Sequence, residues 1–230
     1  MLLLKHLLRP CLFAAAGFAI TVLPICAQTD PNATTSSAIH QIKTVFIIVM
    51  ENHNWTGDGA TLDIKGNLHA PYINYNLVPN GAHAENYWNP PGVHPSLGNY
   101  LWMEAGTDFG VNGLAVTALP VKTLTQNTHG HLSYQLNLAG KSWKAYSGKT
   151  WPANTCPLTQ WGVPQVFFKD VTDDASPTSP VCIRHVRPLS ELAGELAKGT
   201  APDYNFIVPS LCDDMHTACG GTNPIVDGDN

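Results

Sequence analysis

The run at residues 45–50 (Val-Phe-Ile-Ile-Val-Met) does most to limit the folds open to this chain. Six consecutive apolar residues, four of them β-branched, are too few for a globular helix. They read as a strand buried on both faces, the pattern of a mostly parallel sheet in an α/β fold. The run stops abruptly at Glu51-Asn52-His53-Asn54. A parallel strand delivers polar side chains to its carboxyl end, and open α/β sheets bind their ligands there. A carboxylate beside an amide oxygen suits a hard or borderline divalent cation, so Glu51 and Asn52 are candidate metal ligands. For this segment alone the alternative is a polar loop that only caps the strand.

Helical spacing of Leu97, Tyr100, Leu101 and Glu104 predicts a helix over 97–105, with Ser96 as its N-cap and Gly106 ending it. A shorter helix starting at Pro71 would turn Tyr72, Ile73 and Leu77 inward. Residues 128–140 read as an amphipathic helix and 142–146 as the strand behind it. Residues 189–198 form a second clear helical pattern, with Leu189, Leu192, Ala193 and Leu196 on one face. A buried strand is expected at 203–209 and a weaker one at 81–88. Residues 149–188 are poor in regular signal and read as a stapled insertion.

The first 27 residues have the make-up of a secretory signal. Lys5 and Arg9 precede an apolar stretch at 11–25, and Ala27 is a small residue suited to cleavage. That stretch is short for a membrane span and contains Pro24. Export to the periplasm or the exterior is therefore expected, with a flexible linker at 28–41, one domain at 42–230, and no stable membrane span after cleavage. None of the seventeen Asp and Glu lies in the leader, so the exported part is mildly acidic. A nucleic-acid binder would carry a basic stripe instead. Four cysteines remain after cleavage: Cys156, Cys182, Cys212 and Cys219. Of the three pairings four cysteines allow, the local one (Cys156–Cys182, Cys212–Cys219) is favoured in an oxidising compartment. A zinc site of all four is the rival, though it lacks a C-x-x-C pair. Only 13% of residues are charged, while Gly and Pro are abundant, which points to a loop-rich globular domain.

Three places gather chemistry. Besides Glu51-Asn52, there is His94-Pro95-Ser96 and the cluster Cys212-Asp213-Asp214-Met215-His216 after the second strand. A serine at a helix start sits near free N–H groups that favour anions such as phosphate. Ser96 becomes a nucleophile if its pKa is lowered, for example by a metal held at Glu51 and Asn52; otherwise it is simply an N-cap. Asn99, three residues on, would hydrogen-bond a phosphoryl oxygen. Asp213, Asp214 and His216 can ligate an ion or place a proton donor by a leaving group, or else form a solvated disulfide loop. His94, His129 and His131 add polar contacts or are structural. The six tryptophans line a groove or serve as packing; if a groove, a non-catalytic binding domain for sugar or peptide is the competing function.

Four ordered blocks together carry a resemblance: Met50-Glu-Asn-His, His94-Pro-Ser-Leu-Gly-Asn-Tyr-Leu, Tyr146-Ser147, and Phe206-Ile-Val-Pro-Ser-Leu-Cys-Asp-Asp-Met-His. From about residue 43 to 230 the chain resembles the bacterial phosphoesterase family of the alkaline-phosphatase-like superfamily, which includes secreted acid phosphatases and phospholipases C. The resemblance implies a three-layer α/β/α sandwich with a mostly parallel central sheet. It implies a divalent metal (Zn, Mn, Fe or Ca) held by Glu51, Asn52 and Ser96, with Ser96 as the nucleophile forming a phosphoserine. Asn99 would steady the phosphoryl group. Read from the residues themselves, His216 is the further catalytic candidate, and Asp213, Asp214 and His94 are further metal or substrate candidates. The substrate would be a small phosphate ester or a phospholipid head group. Gly98 stands where relatives usually carry proline. Relatives also continue into an acidic block and a further histidine that complete the metal site. The sheet and site are accordingly expected to be incomplete at Asn230, with activity belonging to the full-length parent.

Overall fold

Parallel pairing carries the fold of the computed structural model, which describes residues 42–111, 113, 121–158, 162–220 and 223–230. The leader, cleavage point and linker expected within 1–41 lie outside the described residues. Strands β1 (Val45–Ile48), β2 (Trp143–Ser147), β3 (Val186–Pro188) and β4 (Tyr204–Val208) form one sheet in the order β1-β4-β2-β3. Val45 and Trp143 both lie opposite Tyr204, and Ala145 lies opposite Val186, all in parallel register. Parallel neighbours require crossovers. Helices α1 (Val78–Asn80), α2 (Ser96–Ala105), α3 (Val121–Leu124) and α4 (Leu132–Leu138) fall between β1 and β2. Helices α5 (Lys169–Thr172) and α6 (Pro180–His185) join β2 to β3, α7 (Leu192–Lys198) joins β3 to β4, and α8 (Pro224–Asp229) follows β4.

Alternation along β2 and β4 explains the layering. Trp143, Ala145, Phe206 and Val208 pack with Leu97, Tyr100 and Leu101 of α2 in the principal core. Tyr146 and Ile207 point the other way and meet Leu192 of α7. Apolar side chains on both faces of a parallel sheet, each covered by helix, are what an α/β sandwich demands. Among the described residues no helix is long and apolar enough to cross a membrane.

Several expectations need correction. β1 is an edge strand with all four residues exposed, Ile48 to 60%, so residues 45–50 are not buried on both faces. β-Branched composition favours a strand but does not choose its place in the sheet; β4 and β2 take the inner positions. Residues 81–88 form no strand, because Glu85 is drawn into side-chain bonds from Trp55 (3.0 Å) and Lys65 (2.7 Å). The turn Ile73–Leu77 is π-wound, which moves Tyr72 and Leu77 outward and leaves Ile73 inward. Along 189–198 only Leu192 is buried; α7 is docked instead by Lys144 and Tyr146, which both donate to Glu195. Residues 149–188 are no insertion. Val163, Val166, Phe167 and Phe168 belong to the principal core, and β3 lies in the sheet. Their 3-10 and helical turns are too short to show a period. The favoured cysteine pairing holds: Cys156–Cys182 and Cys212–Cys219 have Cα separations of 5.4 and 5.5 Å.

Candidate active site

Backbone pairing runs past the end of β1 and sets the site. Val49 N–H donates to Ile207 O at 2.9 Å, and Glu51 N–H donates to Asp214 O at 2.7 Å. Glu51 is thereby held against the loop that follows β4 and is only 8% exposed. Pro95, in extended conformation, is the N-cap of α2, so Ser96 is the first helical residue and makes no capping bond. Its hydroxyl instead donates to Glu51 Oε2 at 3.1 Å. Asn99 Nδ2 donates back to Val93 O at 3.1 Å, tying the preceding loop to the first turn of α2.

The loop after β4 folds on itself. Asp214 N–H donates to Ser210 O (2.9 Å), and His216 N–H donates to Asp214 Oδ1 (2.8 Å). These bonds bring His216 Nε2 to 3.8 Å from Glu51 Oε2, the oxygen that accepts from Ser96. Ser96, Glu51, Asp214 and His216 thus come together. Asn52, in the left-handed region at φ 62°, is exposed, as are His94 and Asp213; Asp213 accepts from the Ser210 hydroxyl at 2.7 Å. His131 stands apart as a structural residue, with Nδ1 3.2 Å from Glu104 and Nε2 3.0 Å from Asp170, stacked on Phe168.

The buried acceptors of the site fit a cation. Among the described residues, neither the buried Glu51 Oε1 nor the buried Asn99 Oδ1 has a hydrogen-bond partner of good geometry. Asp214 is 1% exposed; burial pushes its carboxyl above the usual range, the bond from His216 N–H opposes this, and Glu51's charge raises it further. Desolvated oxygens that lack donors are costly unless a cation or a bound donor satisfies them. Among the described residues no group of three His, Cys, Asp or Glu converges to hold an ion. An ion at Glu51 would therefore draw on amide, hydroxyl or water oxygens as well.

Tyr100 is the residue that sequence reasoning missed here. It lies one turn beyond Ser96 on the same face of α2, is 3% exposed, and its hydroxyl lies beside the Glu51 carboxylate. Burial, then the nearby charge of Glu51, holds the phenol protonated. Its spacing with Leu97 and Leu101 reads as core, and only the i, i+4 relation to Ser96 could have singled it out.

The sequence model of the Phosphoesterase family matches residues 66–229, a span that contains Ser96, Asn99, Asp214 and His216. Comparison with curated proteins and with solved structures gave no match.

Proposed function

Because the chain belongs to the Phosphoesterase family, and so is a hydrolase of phosphoric ester bonds, we propose that it is an exported, metal-dependent phosphomonoesterase of the acid-phosphatase type. The observation that carries this reading is the bond from the Ser96 hydroxyl to a buried carboxylate, Glu51. That bond aims the serine oxygen and gives its proton a destination. Ser96 Oγ attacks phosphorus in line, the ester P–O bond breaks, and the leaving alkoxide takes a proton from His216. Water then hydrolyses the phosphoserine and restores the hydroxyl. Asn99 still has one amide hydrogen to offer a phosphoryl oxygen, because only one is used on Val93. Glu51 is the principal residue to hold a divalent ion, with Asn52 and Ser96 as further donors and Asp214 and His216 nearby. Such an ion, when bound, would offset negative charge on the phosphoryl oxygens.

The test is turnover of a soluble aryl phosphate by the full-length protein and its Ser96→Ala variant. Loss of at least about a thousandfold is expected; an unchanged rate rejects the assignment. A phospholipase C-type reading draws on the exposed Tyr87 and Trp88 in the loop before α2, which offer an aromatic surface to lipid. Faster release of head groups from phosphatidylcholine vesicles than of aryl alcohol would favour it.

A further inference from the structure

We propose that Met215 is a positioning residue for the reaction: its buried side chain fixes the turn that aims His216 at the leaving group. This rests on the hydrolase reading above and deepens it. Met215 stands between Asp214 and His216 with φ 75°, in the left-handed region. Glycine adopts that conformation freely, whereas a residue with a β-carbon is strained there. Such strain persists only where the surrounding packing holds it, and it gathers at functional sites. Here the hold comes from the side chain. Met215 is 1% exposed and packs with Ile64, Ala70 and Ile225 in a small core of its own, with Trp55 and Ile73 against it.

That small core joins the two loops of the site. Trp55 belongs to the loop that carries Glu51 and Asn52, and Met215 to the loop after β4. Helix α8 closes the core. Its Ile225 is part of the packing, Asp227 Oδ2 accepts Cys219 N–H at 2.8 Å, and Asp229 accepts the N–H groups of Tyr72 and Ile73 at 2.7 and 2.8 Å. Gly228 of α8 comes so near that a Cβ there would lie 2.4 Å from Met215 Cγ and 3.1 Å from Asp213 O. With the Met215 side chain held on this side, the backbone reverses and returns His216 N–H to Asp214 Oδ1 at 2.8 Å. The imidazole then has Nδ1 3.1 Å from Thr217 Oγ1, while Nε2 faces Glu51. In the reaction Nε2 gives its proton to the leaving alkoxide as the ester P–O bond breaks. A p-nitrophenolate is a weak enough base to leave without that proton, so turnover of its ester does not depend on where Nε2 points.

The experiment compares kcat/KM for ethyl phosphate and p-nitrophenyl phosphate in the full-length protein, each variant assayed well below its Tm. Met215→Ala keeps a Cβ at the strained position and deletes the anchor. It should lower the ethyl-to-nitrophenyl ratio at least about tenfold, part of the effect of losing a general acid. Gly228→Ala, a favourable change for a helix were Met215 not in contact, should shift the ratio the same way. Met215→Leu, which refills the space, should restore it. His216→Gln should lower the ratio by itself, and adding Met215→Ala to it should lower the ratio no further, since a residue that acts through another is not additive with it. Equal losses on the two esters in both Met215→Ala and Gly228→Ala would mark a purely structural residue and overturn the proposal, as would a further fall in the His216→Gln background. A ratio unmoved by His216→Gln would overturn it too, by removing the proton donor. Failure of the hydrolase reading shows separately, as aryl phosphate turnover that is indifferent to Ser96→Ala.

Discussion

Replacing His131 by glutamine should remove a pH-dependent share of the protein's stability. His131 is 2% exposed, its ring lying between Glu104 of α2 and Asp170 of α5, with Ser133 Oγ 3.0 Å from Nδ1. Burial alone would depress the imidazole, but hydrogen bonds to Asp170 and Glu104, and then their charges, push it up to about 9 from 6.5. A folded-state pKa raised in this way stabilises the protein fully below pH 6.5, and the contribution disappears as pH rises through 9. At about 1.4 kcal/mol per unit, the shift corresponds to roughly 3 kcal/mol. Glu104 would keep its bonds from Ser133 and Gln165 in the variant. Urea unfolding of wild type and His131→Gln, with disulfides intact and ionic strength fixed, should give curves of stability against pH that converge by roughly 2–3 kcal/mol between pH 6.5 and 9. Parallel curves across that window would refute the doubly paired imidazolium.

The remaining predictions concern the site and its frame. Glu51→Gln should cut hydrolysis by at least about a hundredfold and abolish any rescue by added divalent ions after chelation; an unchanged response to metal titration would contradict Glu51 as the principal ligand. The double substitution Cys156→Ala/Cys182→Ala opens a bridge of sequence separation 26 and should cost about 2–4 kcal/mol by denaturant titration. Gly148→Ala would force a Cβ against Ser210 N. It should lower Tm and reduce turnover together, because the turns after β2 and β4 must part; an active, equally stable variant would deny that close approach.

What was legible in the chain divides along the range of the forces involved. The helix at 97–105 could be read because two turns of it show Leu97, Tyr100, Leu101 and Glu104 at helical spacing, and all four are buried. The meeting of Ser96 and Glu51 could be anticipated because a parallel strand and a helix start both deliver polar groups to the same rim of the sheet. The position of β1 could not. Strand order depends on pairing with Tyr204–Val208, about 160 residues away, and composition carries no trace of it. Likewise Glu104, an acid at an inward spacing, announced a buried partner, but nothing local identified His131, 27 residues on. Residues 149–188 were opaque because core side chains such as Val166, Phe167 and Val171 sit on turns of four residues, too short to repeat.

The central claim is that Ser96 carries the transferred phosphoryl group. Full-length protein mixed with an aryl phosphate, quenched in acid within one turnover and digested, should yield one phosphorylated peptide by mass spectrometry, with the modification on Ser96. Phosphate found on His216 instead, or a burst of released aryl alcohol with Ser96 unmodified, would contradict it.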